Sequence, residues 1–209
     1  RGNNIKSNDA RNALDALVAS RPVPGEHTPV FGCSTKWNSA IAGKQKEMKE
    51  WTAKPVTLET VTLDGLKQLR KNPTGKTLMI NFWATWCGPC QTEYPELLTT
   101  YLWYRSRDFE FVSVALNTPE EKAAAQKFLD EHHSAIRNLI IDTDDVYAVQ
   151  AAFDPTWESG VPFTLVLAPD GHEIYRVEGE ADVLALRRKI LGNLPDAGMF
   201  AGNTEYWQK

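Results

Sequence analysis

The 209-residue chain has little cysteine: three residues, Cys33, Cys87 and Cys90. So low and odd a count excludes a disulfide-stapled scaffold and leaves one close pair plus a remaining thiol. No stretch approaches the roughly 18 apolar residues of a membrane span. Positive charge is scattered and the net charge is −4, so there is no basic footprint for a nucleic-acid backbone. The sequence therefore predicts neither nucleic-acid binding nor a membrane-spanning segment. Internal repeats and low-complexity tracts are also missing. The chain opens at Arg1 without Met and without a charged-then-apolar leader. That leaves open both a removed signal and a longer parent chain.

With 42% hydrophobic and 24% charged residues, the composition is that of a globular protein. Residues 8–20 (NDARNALDALVAS) predict a helix, with Ala10, Leu14, Leu17 and Val18 near one face. RPVPGEHTPVFGCSTKW, with three prolines and two glycines, reads as an irregular extended segment. Lysine-rich residues 39–51 predict an exposed helix. These first 52 residues carry too few apolar side chains for a core of their own, so they must dock or remain mobile. From Pro55 the pattern changes to strands and helices in alternation. Strands are predicted at VTLETV, TLMINFW, FEFVSVAL, LIID, FTLVLA and EIYRVE. Helices are predicted from Asp64 to Lys71, from about Cys87 to Tyr104 with a kink at Pro95, from Thr118 to about His133, over DDVYAVQAAF, and from Ala181 to Leu191. Alternation followed by a hairpin at Pro169-Asp170-Gly171 predicts an α/β protein, a mixed sheet with helices on both faces. The expected division is an arm over 1–52, a domain over 53–195 and a tail over 196–209.

Trp86-Cys87-Gly88-Pro89-Cys90 falls where a buried strand meets a helix. Two intervening residues let both sulfurs meet within one turn. A cysteine at a helix N-terminus faces unpaired N–H groups and the positive end of the dipole, which stabilise its thiolate. Cys87 is then the attacking thiol, and Cys90, deeper in the helix, resolves the mixed disulfide. A half zinc site or a chance pair are the other readings of a CxxC. Zinc needs four ligands, and the only adjacent candidates, His132 and His133, lie at a predicted exposed helix end. The redox reading needs neither metal nor cofactor beyond the cysteine pair itself.

NFWATWCGPC resembles the active-site strand and helix of thioredoxin-like proteins. The longer NFWATWCGPCQTEYPEL is similar to the TlpA/ResA-type extracytoplasmic thiol–disulfide oxidoreductases, and GVPFTLVLAPDG to their cis-proline segment. The resemblance covers about residues 55–194. It implies a thioredoxin fold with an inserted strand and helix, for which residues 110–145 fit the insertion. It implies dithiol–disulfide exchange with protein disulfides, drawing on an electron donor that the sequence does not name, outside the cytoplasm. Heme-protein apocytochromes are a substrate possibility at family level. By motif it makes Cys87 the nucleophile, Cys90 the resolving thiol, Pro162 the cis-proline and Val161 a donor of backbone groups to substrate. Trp86, Gly88 and Pro89 join Val161 and Pro162 as the substrate-binding set.

Glu93 falls where the subgroup places a proton-transferring acid; its plainer reading is a first-turn acid that favours the helix dipole. Asn81 replaces the buried Asp of cytoplasmic thioredoxins and otherwise reads as a satisfied buried amide. Trp83 and Trp86 read first as packing around the disulfide. Gly88-Pro89 matches cytoplasmic thioredoxin and points to a reductant. Residues 11–37 resemble the tail of peroxiredoxin-like redoxin domains, which opens an electron-relay role with an upstream domain through Cys33. A peroxiredoxin-like thiol peroxidase and a non-enzymatic docking module are the competing functions. The peroxidase pattern has Thr three residues before its cysteine, where this chain has Ala84.

Overall fold

The computed structural model describes residues 9–23 and 38–194. Cys33, most of the segment read as extended and the tail over 196–209 lie outside those residues. Two compact units divide the chain, Arg1–Gln45 and Lys46–Lys209. In the first, helix α1 (Asp9–Val18) leaves Leu14, Leu17 and Val18 exposed and buries Ala16.

The second unit is built on a six-stranded sheet in the order β1-β4-β3-β2-β5-β6. Its strands are β1 (Leu58–Val61), β2 (Thr77–Trp83), β3 (Phe109–Ala115), β4 (Arg137–Ile141), β5 (Phe163–Leu167) and β6 (Glu173–Glu178). The first four are parallel; β5 and β6 run antiparallel as a hairpin. The helices are α2 (Asn38–Thr52), which begins in the first unit, then α3 (Leu63–Arg70), α4 (Gly88–Tyr104), α5 (Lys122–Glu131), α6 (Val146–Phe153) and α7 (Val183–Asn193). This is the predicted mixed α/β, thioredoxin-like sheet with helices on both faces.

Strand β2 is the apolar run TLMINFW, buried along its whole length. Its side chains alternate between faces. Phe82 points to the face of α3 and α6, with its ring 4.6 Å from Phe153 and 4.8 Å from Trp157. Trp83 points to the other, 5.3 Å from Tyr94 of α4 and 4.7 Å from Phe128 of α5. Truncating such a buried ring to Ala costs about 3–5 kcal/mol.

One polar row crosses this core. Thr164 pairs with Asn81, Asn81 with Ser113, and Ser113 with Asn138, on four adjacent strands. All four are buried. Ser113 Oγ donates to Asn138 Oδ1 at 2.8 Å, and Asn138 Nδ2 donates to the carbonyls of Thr57, Ser134 and Ile136. Tyr94 hydrogen-bonds to Ser134 Oγ at 2.7 Å, and burial pushes its phenol up to about 12.

Three local expectations change. Helix α2 is not wholly exposed: Trp51 is 4% exposed and packs on Tyr101, with Lys54 and Arg105 over its ring. A single large aromatic anchors a helix whose polar composition hides it. The helix read from Thr118 opens with a 3-10 turn, Pro119–Glu121, in which Glu121 accepts the Thr118 N–H at 3.1 Å. His132 is half-buried, its ring 4.3 Å from Phe128.

Candidate active site

The strand β2 ends at Trp83, and Ala84–Cys87 turn the chain into α4 at the carboxyl end of the parallel strands. Two side chains fix this turn. Asn117, at the end of β3 and fully buried, accepts the Thr85 N–H at 3.0 Å and donates to Thr85 Oγ1 at 2.6 Å. Its amide also donates to Glu121 Oε2 at 3.1 Å. Gln91, one turn into α4, donates to the Thr85 carbonyl. Every hydrogen-bonding group of Thr85 is thus held. The sequence reading missed this clamp; its signal is a polar Asn117 directly after the apolar strand.

Cys87 is the N-cap of α4. It has extended backbone angles, and its sulfur faces the Cys90 N–H at 3.2 Å. Cys87 and Cys90 form a disulfide with Cα atoms 5.3 Å apart. Cys90 is 1% exposed and Cys87 6%. Trp86 is 60% exposed, whereas Trp83 is core. Gly88 and Pro89 are also exposed. Ala84, buried at the turn, brings no hydroxyl beside Cys87.

The Val161–Pro162 peptide is cis. The Val161 carbonyl oxygen lies 3.6 Å from Cys87 Sγ. The Pro162 carbonyl accepts the Gly179 N–H at 2.8 Å. Among the described residues the Val161 N–H has no hydrogen-bond partner. An ionic cluster shapes the loop before it. Asp154 accepts the N–H and Oγ1 of Thr156 and pairs with Arg176, which also binds Glu178. Burial alone would raise the Asp154 carboxyl, but Thr156, Arg176 and Arg70 hold it below its usual range. Glu178 accepts the Ser159 N–H at 2.9 Å, and the Arg176 and Ser159 hydrogen bonds hold its carboxyl down at about 2.

Glu93 is not a solvent-facing first-turn acid. It lies on the inner face of α4, 3% exposed. Asn81 Nδ2 donates to its Oε1 at 3.0 Å, and the Ala181 N–H to its Oε2 at 2.8 Å. Burial pushes its carboxyl above the usual range, while the two hydrogen bonds oppose that and the charge of Glu180 adds to it. Asn81 is only partly satisfied. Its Nδ2 also donates to Thr164 Oγ1 at 2.9 Å, but Oδ1 has no partner among the described residues.

The site therefore joins a helix-capping dithiol pair, a buried acid on the same helix, an exposed aromatic and a backbone edge. Among the described residues, no group of three or more His, Cys, Asp or Glu could hold a metal. No described helix is long and apolar enough to cross a membrane.

Comparison with known proteins agrees with this chemistry. The Redoxin family model matches residues 46–185. Thiol-disulfide oxidoreductase ResA of Bacillus subtilis is 30% identical over 145 residues, covering 69% of this chain and 75% of its own. ResA of Oceanobacillus iheyensis is 41% identical over 58 residues, 28% of this chain and 29% of its own. Thiol:disulfide interchange protein DsbE of Pseudomonas aeruginosa is 28% identical over 116 residues, 56% of this chain and 58% of its own. With the Cys87–Cys90 disulfide at the cap of a helix inside the matched residues 46–185, the chain belongs to the Redoxin family, among its CxxC thiol–disulfide oxidoreductases.

Proposed function

We propose that this thiol–disulfide oxidoreductase reduces disulfides in extended protein segments, with Cys87 attacking and Cys90 resolving. The observation that carries the reading is Cys87 at the cap of α4, sulfur toward the Cys90 N–H, with the Val161 carbonyl 3.6 Å away. In the reduced protein the Cys87 thiolate attacks one sulfur of a substrate disulfide. A mixed disulfide forms, and the other substrate sulfur leaves as a thiolate that takes up a proton. Cys90 then loses its proton and attacks Cys87 Sγ. This forms the Cys87–Cys90 disulfide and frees the second substrate thiol. Two electrons have passed to the substrate, and an external dithiol donor restores the pair.

Glu93, three residues beyond Cys90 on α4 and buried, is the proposed acceptor of the Cys90 proton. Trp86, Gly88, Pro89, Val161 and Pro162 are the proposed substrate surface. The free Val161 N–H suits pairing with an extended strand, and the exposed Trp86 suits an apolar side chain. Similarity to ResA and DsbE supports action outside the cytoplasm.

The reduction potential of the Cys87–Cys90 pair, equilibrated against dithiol redox buffers, tests the direction. A potential near that of thioredoxin, about −270 mV, is expected; one near −120 mV, about that of strong oxidants, would reverse it.

A further inference from the structure

Asn81 lies within a strand buried along its whole length, 1% exposed, in a run otherwise made of apolar residues and one threonine. A leucine would bring no polar atom of its own to bury there. Instead the chain keeps an amide whose Oδ1 is buried without a partner. Such an orphan costs about 1–3 kcal/mol. Both N–H bonds of Asn81 are committed, one to Glu93 Oε1 at 3.0 Å and one to Thr164 Oγ1 at 2.9 Å. Turning the amide over would set Oδ1 against the Glu93 carboxylate oxygen, whereas the Thr164 hydroxyl, donor or acceptor, could bond either end of the amide. The orientation is therefore dictated by Glu93, while Thr164 holds the side chain in place from the neighbouring strand.

We propose that Asn81, steadied by Thr164, is a positioning residue for the dithiol chemistry, and that its amide limits how firmly Glu93 retains a proton. The inference rests on the reading of Glu93 as proton acceptor. An N–H aimed at a carboxylate favours the charged form. Ala181 supplies the second such donor, at Oε2. Burial and the charge of Glu180 act the other way, and Tyr175 of β6 is the further titratable group that senses Glu93. The disulfide cysteines share its helix. Without Asn81 the balance tips toward a carboxyl that holds its proton too long. The proton that Glu93 takes from the Cys90 thiol must return to solvent before the next turnover.

The test is the pH profile for reduction of a model protein disulfide by the pre-reduced protein. Wild type, Glu93→Gln, Asn81→Leu, Thr164→Val and the double variant Asn81→Leu/Glu93→Gln are compared. Carbon-13 titration of the Glu93 carboxyl in the oxidised proteins gives a readout independent of catalysis. Asn81→Leu is expected to move the Glu93-dependent inflection and the titration midpoint to higher pH. Thr164→Val, which preserves shape and keeps Asn81, should move them the same way by less, and it carries the test if Asn81→Leu fails to fold. The double variant should superimpose on Glu93→Gln. A Glu93→Gln profile identical to wild type would remove the Glu93 reading and this inference with it. A Glu93 inflection that disappears in Glu93→Gln, yet stays in place in the folded Asn81 and Thr164 variants, would overturn the role of Asn81 alone.

Discussion

The carbonyl oxygen of Val161 and the sulfur of Cys87 lie 3.6 Å apart although 74 residues of chain separate them. Cys87 is held by the turn that Asn117 clamps, and Val161 by a loop that the Asp154–Arg176–Glu178 cluster shapes. Two separately braced loops thus meet at the reacting atom.

The order of the two thiols follows from depth and from the helix cap. Cys87→Ser should reduce disulfide reduction to the uncatalysed background. In the reduced wild type, brief iodoacetamide treatment followed by mass mapping should find Cys87 labelled before Cys90. Preferential labelling of Cys90 would exchange their roles.

Burial raises the Glu93 carboxyl above its usual range. The folded state then binds this proton more tightly than the unfolded chain does. Its contribution is full below the unfolded pKa and is lost as pH rises through the folded value. Glu93→Gln removes that loss. Urea denaturation of the oxidised proteins from about pH 4 to about pH 8 should show the variant gaining on wild type as pH rises. Parallel stability curves would contradict the raised carboxyl.

Glu178 behaves in the opposite sense. Its carboxyl is held at about 2 by Arg176 and the Ser159 N–H. The stabilisation is present above the unfolded carboxylate value and disappears as pH falls through about 2. Glu178→Gln should cost about 1–2 kcal/mol at neutral pH. That difference should shrink to nothing in strong acid, as read by denaturant midpoints across the range.

Removing the Asn117 amide leaves the Thr85 N–H and the Glu121 carboxylate without that partner at the foot of the CxxC turn. Asn117→Ala should destabilise the protein by about 2–3 kcal/mol and slow exchange, through a loosened Trp86–Cys87 segment. Chemical denaturation and exchange rates measured together check this. A stability change within about 0.5 kcal/mol, the range of an ordinary surface substitution, would show the clamp to be idle.

The sheet was legible in the sequence because its central strands are unbroken apolar runs. TLMINFW is β2 residue for residue, and the Pro169-Asp170-Gly171 turn joins β5 to β6 as expected. The cysteine pair was legible because its chemistry depends on local spacing. What escaped depends on distant partners. Nothing beside Asn117 in the sequence points to Thr85, 32 residues earlier. Glu93 could be read as a surface acid because its burial comes from Asn81 of β2 and Ala181 before α7. Trp51 escaped because one aromatic among lysines leaves no periodic signal. A polar residue flanked by apolar ones inside a strand was a usable sign, visible at Asn81 and equally present at Ser113 and Thr164.

The row Thr164–Asn81–Ser113–Asn138 also works as a key for strand alignment. Side chains alternate strictly, so a slip of β2 by one residue would turn Asn81 to the face where Phe153 and Trp157 meet Phe82. Its amide would then be buried among rings, Thr164 would lose its neighbour, and Glu93 would lose one of its two donors. At about 1–3 kcal/mol for each stranded polar group, such a slip would consume much of a domain's usual margin of about 5–15 kcal/mol. Purely apolar strands would tolerate the wrong pairing far better. A chain that misaligns its sheet therefore also dismantles one of the hydrogen bonds that hold the buried Glu93 carboxylate.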